Sequence, residues 1–207
     1  GRWALLDEPG FLTAGRHRTL EGFLRALPED RLTAEPGLVY WLGACRMPFD
    51  LKESRSLLER AFLAFDASGQ VEWAFAAWAA VADSIINEHN DIAALDRWLA
   101  WLEARGDEVS SLAPQTARET VAYMLFGLTF REPGHPRIGR WRERAEALLQ
   151  TSPDLVGAMT VGARLLLHYT FCGEIHQAER LLHEIRPPTT GRLAMRPELV
   201  GHFLYGR

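Results

Sequence analysis

Apolar residues recur along this chain with the period of a helix, and they do so in two alternating patterns. Leu57, Leu58, Ala61, Phe62 and Phe65 share one helical face, as do Leu95, Trp98, Leu99 and Leu102, then Ile138, Trp141, Ala145, Leu148 and Leu149, then Ala178, Leu181, Leu182 and Ile185. Between these single stripes lie segments that are apolar on every side: 38–47, 71–86, 121–130 and 155–171. A helix with one apolar stripe has one wet face, whereas an all-round apolar helix must be contacted on more than one side. Outer and inner helices therefore alternate. Composition agrees, since 30 Leu and 27 Ala stand against 14 Ile plus Val, and β-branched residues lose rotamer freedom in a helix. Sustained period-2 alternation is absent.

Helix boundaries can be read from the punctuation. Asp50 followed by Glu53 has the spacing of a reciprocal capping pair. Gly69 and Gly106 each follow a stripe, where a left-handed C-terminal residue is wanted. Pro48, Pro114, Pro133, Pro136, Pro153, Pro187 and Pro188 all fall between stripes. Outer helices begin near Leu51, Ile92, Ile138 and Ile175, about 37 to 46 residues apart, the period of helix-hairpin repeats. The expected fold is all-α: a right-handed superhelix of antiparallel helix hairpins with an extended concave surface. One array is expected over 1–207, with a partial unit at 1–35, pairs at 36–69, 70–106, 114–151 and 154–186, and a further unit starting at 195–207.

Bulk properties narrow the classes. With 47% apolar residues a core of this size can be buried, and with 27 acidic against 23 basic residues, a net charge of −4, the electrostatic footprint of a nucleic-acid binder is missing. Two cysteines make no disulfide framework, which points to a reducing cytoplasm. No window approaches the roughly 20 apolar residues of a membrane span. The chain opens without methionine and stops at 203–207 just after an apolar pattern restarts, so an excerpt of a longer protein is expected. Lys52 is the one lysine and lacks the glycines of a phosphate-binding loop.

Particular residues carry a family resemblance. The run from Gly173 and Glu174 through Ala178 to Leu182 resembles the hinge and second helix of a tetratricopeptide repeat, with Ala178 as the small residue that lets two helices approach. Leu42-Gly43 with Leu57 to Ala61 matches another such repeat, and Asn90-Asp91 with Leu95, Leu99 and Leu102 looks like a third, although Leu95 stands where a small residue is usual. Leu20, Phe23, Leu24, Leu27-Pro28 and then Pro36 and Leu38 are similar to the pattern that opens the superhelical repeat region of MalT-type regulators, with Phe23 in place of tryptophan. That resemblance implies an ATP-binding switch module before the repeats, a LuxR-type helix-turn-helix after them, and a superhelix in which inducers or inhibitory proteins are sensed.

Chemical motifs are sparse. Cys172, His176 and His183 lack the four tightly spaced ligands of structural zinc, and Glu88-His89 lacks the second histidine of a zincin helix. Cys45 sits within an apolar helix as a buried, inert thiol, and no nucleophile motif occurs. Asp83, Asn87 and Glu88 share a face without demanding catalysis. Arg137, Arg140, Arg142 and Arg144 beside Trp141 suggest nucleic-acid contact, but Ile138, Trp141, Ala145 and Leu148 form a packed stripe, leaving the arginines and Glu143 and Glu146 as its wet face. Trp73, Trp78, Trp98 and Trp101 read first as core. No catalytic residue, metal ligand or cofactor is assigned.

In a tetratricopeptide register the first helix of each pair faces the groove. Its inward positions are Tyr40 and Met47, then Ala80, Ser84, Asn87 and Glu88, then Met124 and Arg131. This mixed surface suits a small polar effector or a protein partner. The functional expectation is a non-catalytic, cytoplasmic module of a bacterial signalling or transcriptional regulator, binding an effector or partner in the groove and relaying this to an output domain. The alternative is an interaction scaffold with no small-molecule ligand. Neither involves membrane or direct nucleic-acid contact, and a homo-oligomer is compatible with both.

Overall fold

The computed structural model describes residues 16–151 and 155–184. Among these every regular element is helical, and none is long and apolar enough to cross a membrane. The chain divides into two compact units between Ile92 and Ala93.

Unit 1 comprises α1 (His17–Arg25), α2 (Glu29–Ala34), α3 (Pro36–Arg46), α4 (Leu51–Ala67) and α5 (Val71–Glu88). Asp50 caps α4 as its spacing requires, its side chain accepting the Glu53 N–H at 2.9 Å. The reciprocal half of that motif is not made. Glu53 binds Arg25 at 2.8 Å and Arg46 at 2.6 Å, because two guanidiniums from α1 and α3 attract a carboxylate more strongly than one backbone N–H does. Gly69 ends α4 at φ +67°, the left-handed conformation expected of it. Leu20 and Leu24 of α1 join Leu38, Trp41, Leu42 and Cys45 of α3 in one cluster. Helix α5 is buried nearly all round from Ala74 to Ile86, as its unbroken apolar run requires.

Close approach of α3 and α4 depends on Gly43. A Cβ there would stand 2.8 Å from Leu58 Cγ and 3.2 Å from Leu57 Cβ. The Gly43 carbonyl also accepts the buried Ser54 hydroxyl at 2.8 Å, tying the same two helices. Gly43→Ala is expected to destabilise unit 1 by about 1–2 kcal/mol, overpacking outweighing the gain in helix propensity. Gly22→Ala in α1, where a Cβ meets nothing within 4 Å, is expected to stabilise by about 0.5–1 kcal/mol. Urea unfolding of both variants checks the opposite signs.

Unit 2 contains α6 (Asp96–Ala104), α7 (Pro114–Arg131), α8 (Ile138–Gln150), α9 (Leu155–Phe171) and α10 (Ile175–Glu184). Two of the expected outer-helix starts, Ile138 and Ile175, stand as read from the sequence. The third moves, since Ile92–Leu95 forms a 3-10 turn and the α-helix begins at Asp96. Short 3-10 turns of this kind are frequent at the N-termini of α-helices. Helix α7 packs on α6, α8 and α9, and α9 packs on α10. Its glycine, Gly127, lies where a Cβ would come within 2.5 Å of Leu99 on α6.

Gly106 is not the left-handed terminator expected from its place in the sequence. Positive φ among described glycines belongs to Gly69 and Gly173, and Gly106 instead gives room to an indole, since a Cβ would sit 3.3 Å from Trp141 Cζ2. Gly173 makes the expected α9–α10 turn at φ +74°, with the Glu174 N–H returning to the Tyr169 carbonyl at 2.8 Å. Ala178 is buried in α10. Pro36 and Pro114 occupy first turns, where the absent N–H has no partner to lose. Expectations for residues 1–15, for Pro153, and for Ile185 onward, including the further unit at 195–207, lie outside the described residues.

Candidate functional site

Within unit 1 the expected groove positions divide into packed and polar groups. Tyr40 is half-buried in an aromatic cluster, its ring meeting Trp41 at 5.3 Å and Trp73 at 5.5 Å edge-on. Met47 closes α3 with its sulfur 3.8 Å from Ser54 Oγ. Ala80 is half-buried, while Ser84 is fully buried and its hydroxyl donates to the Val81 carbonyl of its own helix. The last turn of α5 holds the polar group: Asn87 donates to Asp83 at 3.0 Å, and Glu88 receives Arg55 of α4 at 2.8 Å. Asp83 and Asn87 thus share a face, Glu88 turns to α4, and each has a partner.

In unit 2 the two expected positions separate. Met124 is completely enclosed in α7. Arg131, at the end of the same helix, forms a two-pronged pair with Asp96 of α6 at 2.7 and 2.9 Å. The pair lowers the Asp96 pKa, chiefly through the hydrogen bonds from Arg131.

The arginines of α8 are more than a wet face. Arg137 pairs with Glu103 at 2.7 Å and Arg140 with Asp107 at 2.6 Å. Arg144 donates to the Gly106 carbonyl at 2.8 Å and lies 4.9 Å from the Trp141 ring centre. Arg142 turns the other way, to Glu146 and Glu174. Glu103, Asp107, Arg137, Arg140, Trp141 and Arg144 line a cleft of about 280 Å³ between the end of α6 and α8. The spacing of Arg137, Arg140 and Arg144 shows their common helical face in sequence; the acids opposite, 33 to 34 residues away, carry no such signal.

A second polar group joins α7 to α9. Thr129 donates its single hydroxyl proton to the Leu125 carbonyl at 2.7 Å, so at its 2.9 Å contact with His168 the imidazole Nδ1–H is the donor. Burial, reinforced by Arg142 and opposed by Glu174 and Glu146, lowers the His168 pKa. The folded state therefore binds fewer protons here than the unfolded chain, and stability is lost as pH falls below about 6.5 toward the folded pKa. His168→Gln is expected to flatten the stability profile between about pH 7 and 5, measured as urea midpoint against pH; an unchanged slope rules out this group as its source.

Cys172 lies 3.7 Å from His168 Nδ1, but burial and Glu174 raise its pKa, which disfavours the thiolate. Burial pushes the Cys45 thiol up to about 12. His176 is exposed beside Glu179, and no three His, Cys, Asp or Glu side chains group as metal ligands among the described residues. Trp78 and Trp98 are core, whereas Trp73 and Trp101 are half-buried.

Periodicity does not mark Arg164, although it is a lone charge within the apolar run 155–171. It is 3% exposed, its guanidinium lies 5.3 Å from the Tyr123 ring and 5.1 Å from that of Phe126, and its Nε and Nη1 have no hydrogen-bond partner among the described residues. No protein-family model, curated protein or solved structure matches this chain.

Proposed function

We propose that this chain is a non-catalytic helical-repeat module of a bacterial signalling or transcriptional regulator, which binds an effector or a partner protein and relays that event to an attached output domain. The observation that carries the reading is the alternation of helix types. Helices α5 and α7 are buried nearly all round, while α4 before α5 and α8 after α7 each bury one stripe. Hairpins of this kind cannot bury their apolar faces alone and gain stability by stacking. A right-handed tetratricopeptide-like superhelix extends that local pattern, and the MalT-type opening over residues 20–38 favours a sensor in a regulator.

Exposed apolar side chains favour a second reading. Phe23, Leu63 and Phe171 are each more than 60% exposed, which suits a scaffold that docks another protein. A thermal-shift screen of the chain against sugars, nucleotides and common metabolites separates the two. A ligand specific to the folded state at a hundredfold excess over Kd adds about 2.7 kcal/mol. A reproducible shift supports the effector sensor. No shift across the library rejects it in favour of the scaffold.

A further inference from the structure

The α6–α8 cleft extends the effector reading, on which this inference rests, by naming the chemistry of the ligand. Three guanidiniums face two carboxylates there, and the imbalance is local. Arg137 is matched by Glu103, which also accepts the Trp141 indole N–H at 3.4 Å. Arg140 and Arg144 share one acid: Asp107 sits 2.6 Å from the first and 3.9 Å from the second. Arg144 is held by a backbone carbonyl and by the Trp141 face, neither of which neutralises it. Burial and the neighbouring Arg140 accordingly lower the Arg144 pKa.

Asp107 is the most dispensable member of the cluster. Its side chain is 89% exposed, so water can solvate it if it swings away. Arg140 and Arg144 would then present two positive charges to the cleft. A phosphate monoester carries about −1.5 to −2 charges at pH 7 and three acceptor oxygens, and planar guanidiniums match such oxygens two at a time. We propose that this cleft binds a small phosphorylated molecule, with Arg140 and Arg144 holding the phosphate in place of Asp107. The volume of about 280 Å³ suits a small molecule.

The test is calorimetric titration at constant ionic strength with inorganic phosphate, glucose 6-phosphate, glucose and a phosphoserine peptide. Phosphate and the sugar phosphate are expected to bind and glucose is not. Asp107→Asn, at an exposed position that does not endanger folding, is expected to tighten binding roughly two- to fivefold by removing the internal competitor. Arg140→Gln and Arg144→Gln are expected to weaken it by about tenfold or more, with circular dichroism confirming the fold. Absence of phosphate binding in both wild type and Asp107→Asn overturns the proposal, as does unaltered binding by Arg144→Gln. Tighter binding of the peptide than of the sugar phosphate overturns the small-molecule assignment. If the thermal-shift screen yields a ligand indifferent to Arg144→Gln, the phosphate site falls and the effector reading stands; if no ligand binds anywhere, both fall.

Discussion

Trp141→Ala is expected to destabilise unit 2 by about 3–5 kcal/mol, the range for truncating a large enclosed aromatic. The indole is 2% exposed and does three things at once. It fills the space that Gly106 leaves by having no Cβ. Its N–H reaches Glu103 at 3.4 Å, and its face lies under Arg144. Alanine leaves a cavity that the α6–α8 contact cannot close without moving Gly106 and its bond from Arg144. Trp141→Phe keeps most of the volume and is expected to cost about 1–2 kcal/mol. Urea unfolding read by far-UV circular dichroism measures both, and a loss under about 1 kcal/mol for alanine would show that the cluster is held by its ion pairs instead.

Arg164→Met is expected to have the opposite sign. A charge in the interior needs partners to offset its lost hydration, and two of the three nitrogens of this guanidinium have no hydrogen-bond partner among the described residues. The rings of Tyr123 and Phe126 return part of that cost, about 2 kcal/mol for a desolvated cation. Methionine has a similar reach, contacts the same rings through its sulfur, and carries no hydration to lose. The expected gain is about 1–3 kcal/mol, read as a rise of roughly 2–4 °C per kcal/mol in Tm. Arg164→Lys retains the charge but loses the flat face that lies over the rings, and is expected to be less stable than wild type. A lower Tm for the methionine variant would mean that the guanidinium is satisfied in solution, by ordered water or an anion.

Elements were far more legible than sites. Helix starts at Leu51, Ile138 and Ile175, the cap at Asp50 and the left-handed Gly69 all follow from short-range rules: a period of 3.6, a side chain three residues from the N–H it accepts, a residue without Cβ where φ is positive. The candidate groove followed less well. Ser84 and Met124 stand at projected groove positions, yet both are enclosed. On an inner helix a second apolar contact covers part of the face that a simple hairpin would leave open, and one chain's periodicity does not say how much.

Local sequence therefore determined that the described chain is helical, where most helices begin, and which of them are wet on one side, because each of these is settled within about two helical turns. Tertiary structure decided the rest: that Glu53 leaves its own helix cap for Arg25 and Arg46, that Gly106 makes room for an indole, that Arg140 and Arg144 share one exposed aspartate, and that Arg164 is buried with its Nε and Nη1 lacking a hydrogen-bond partner among the described residues. Those outcomes depend on charges and volumes brought together from residues tens of positions apart, and no spacing rule along the chain encodes such distances.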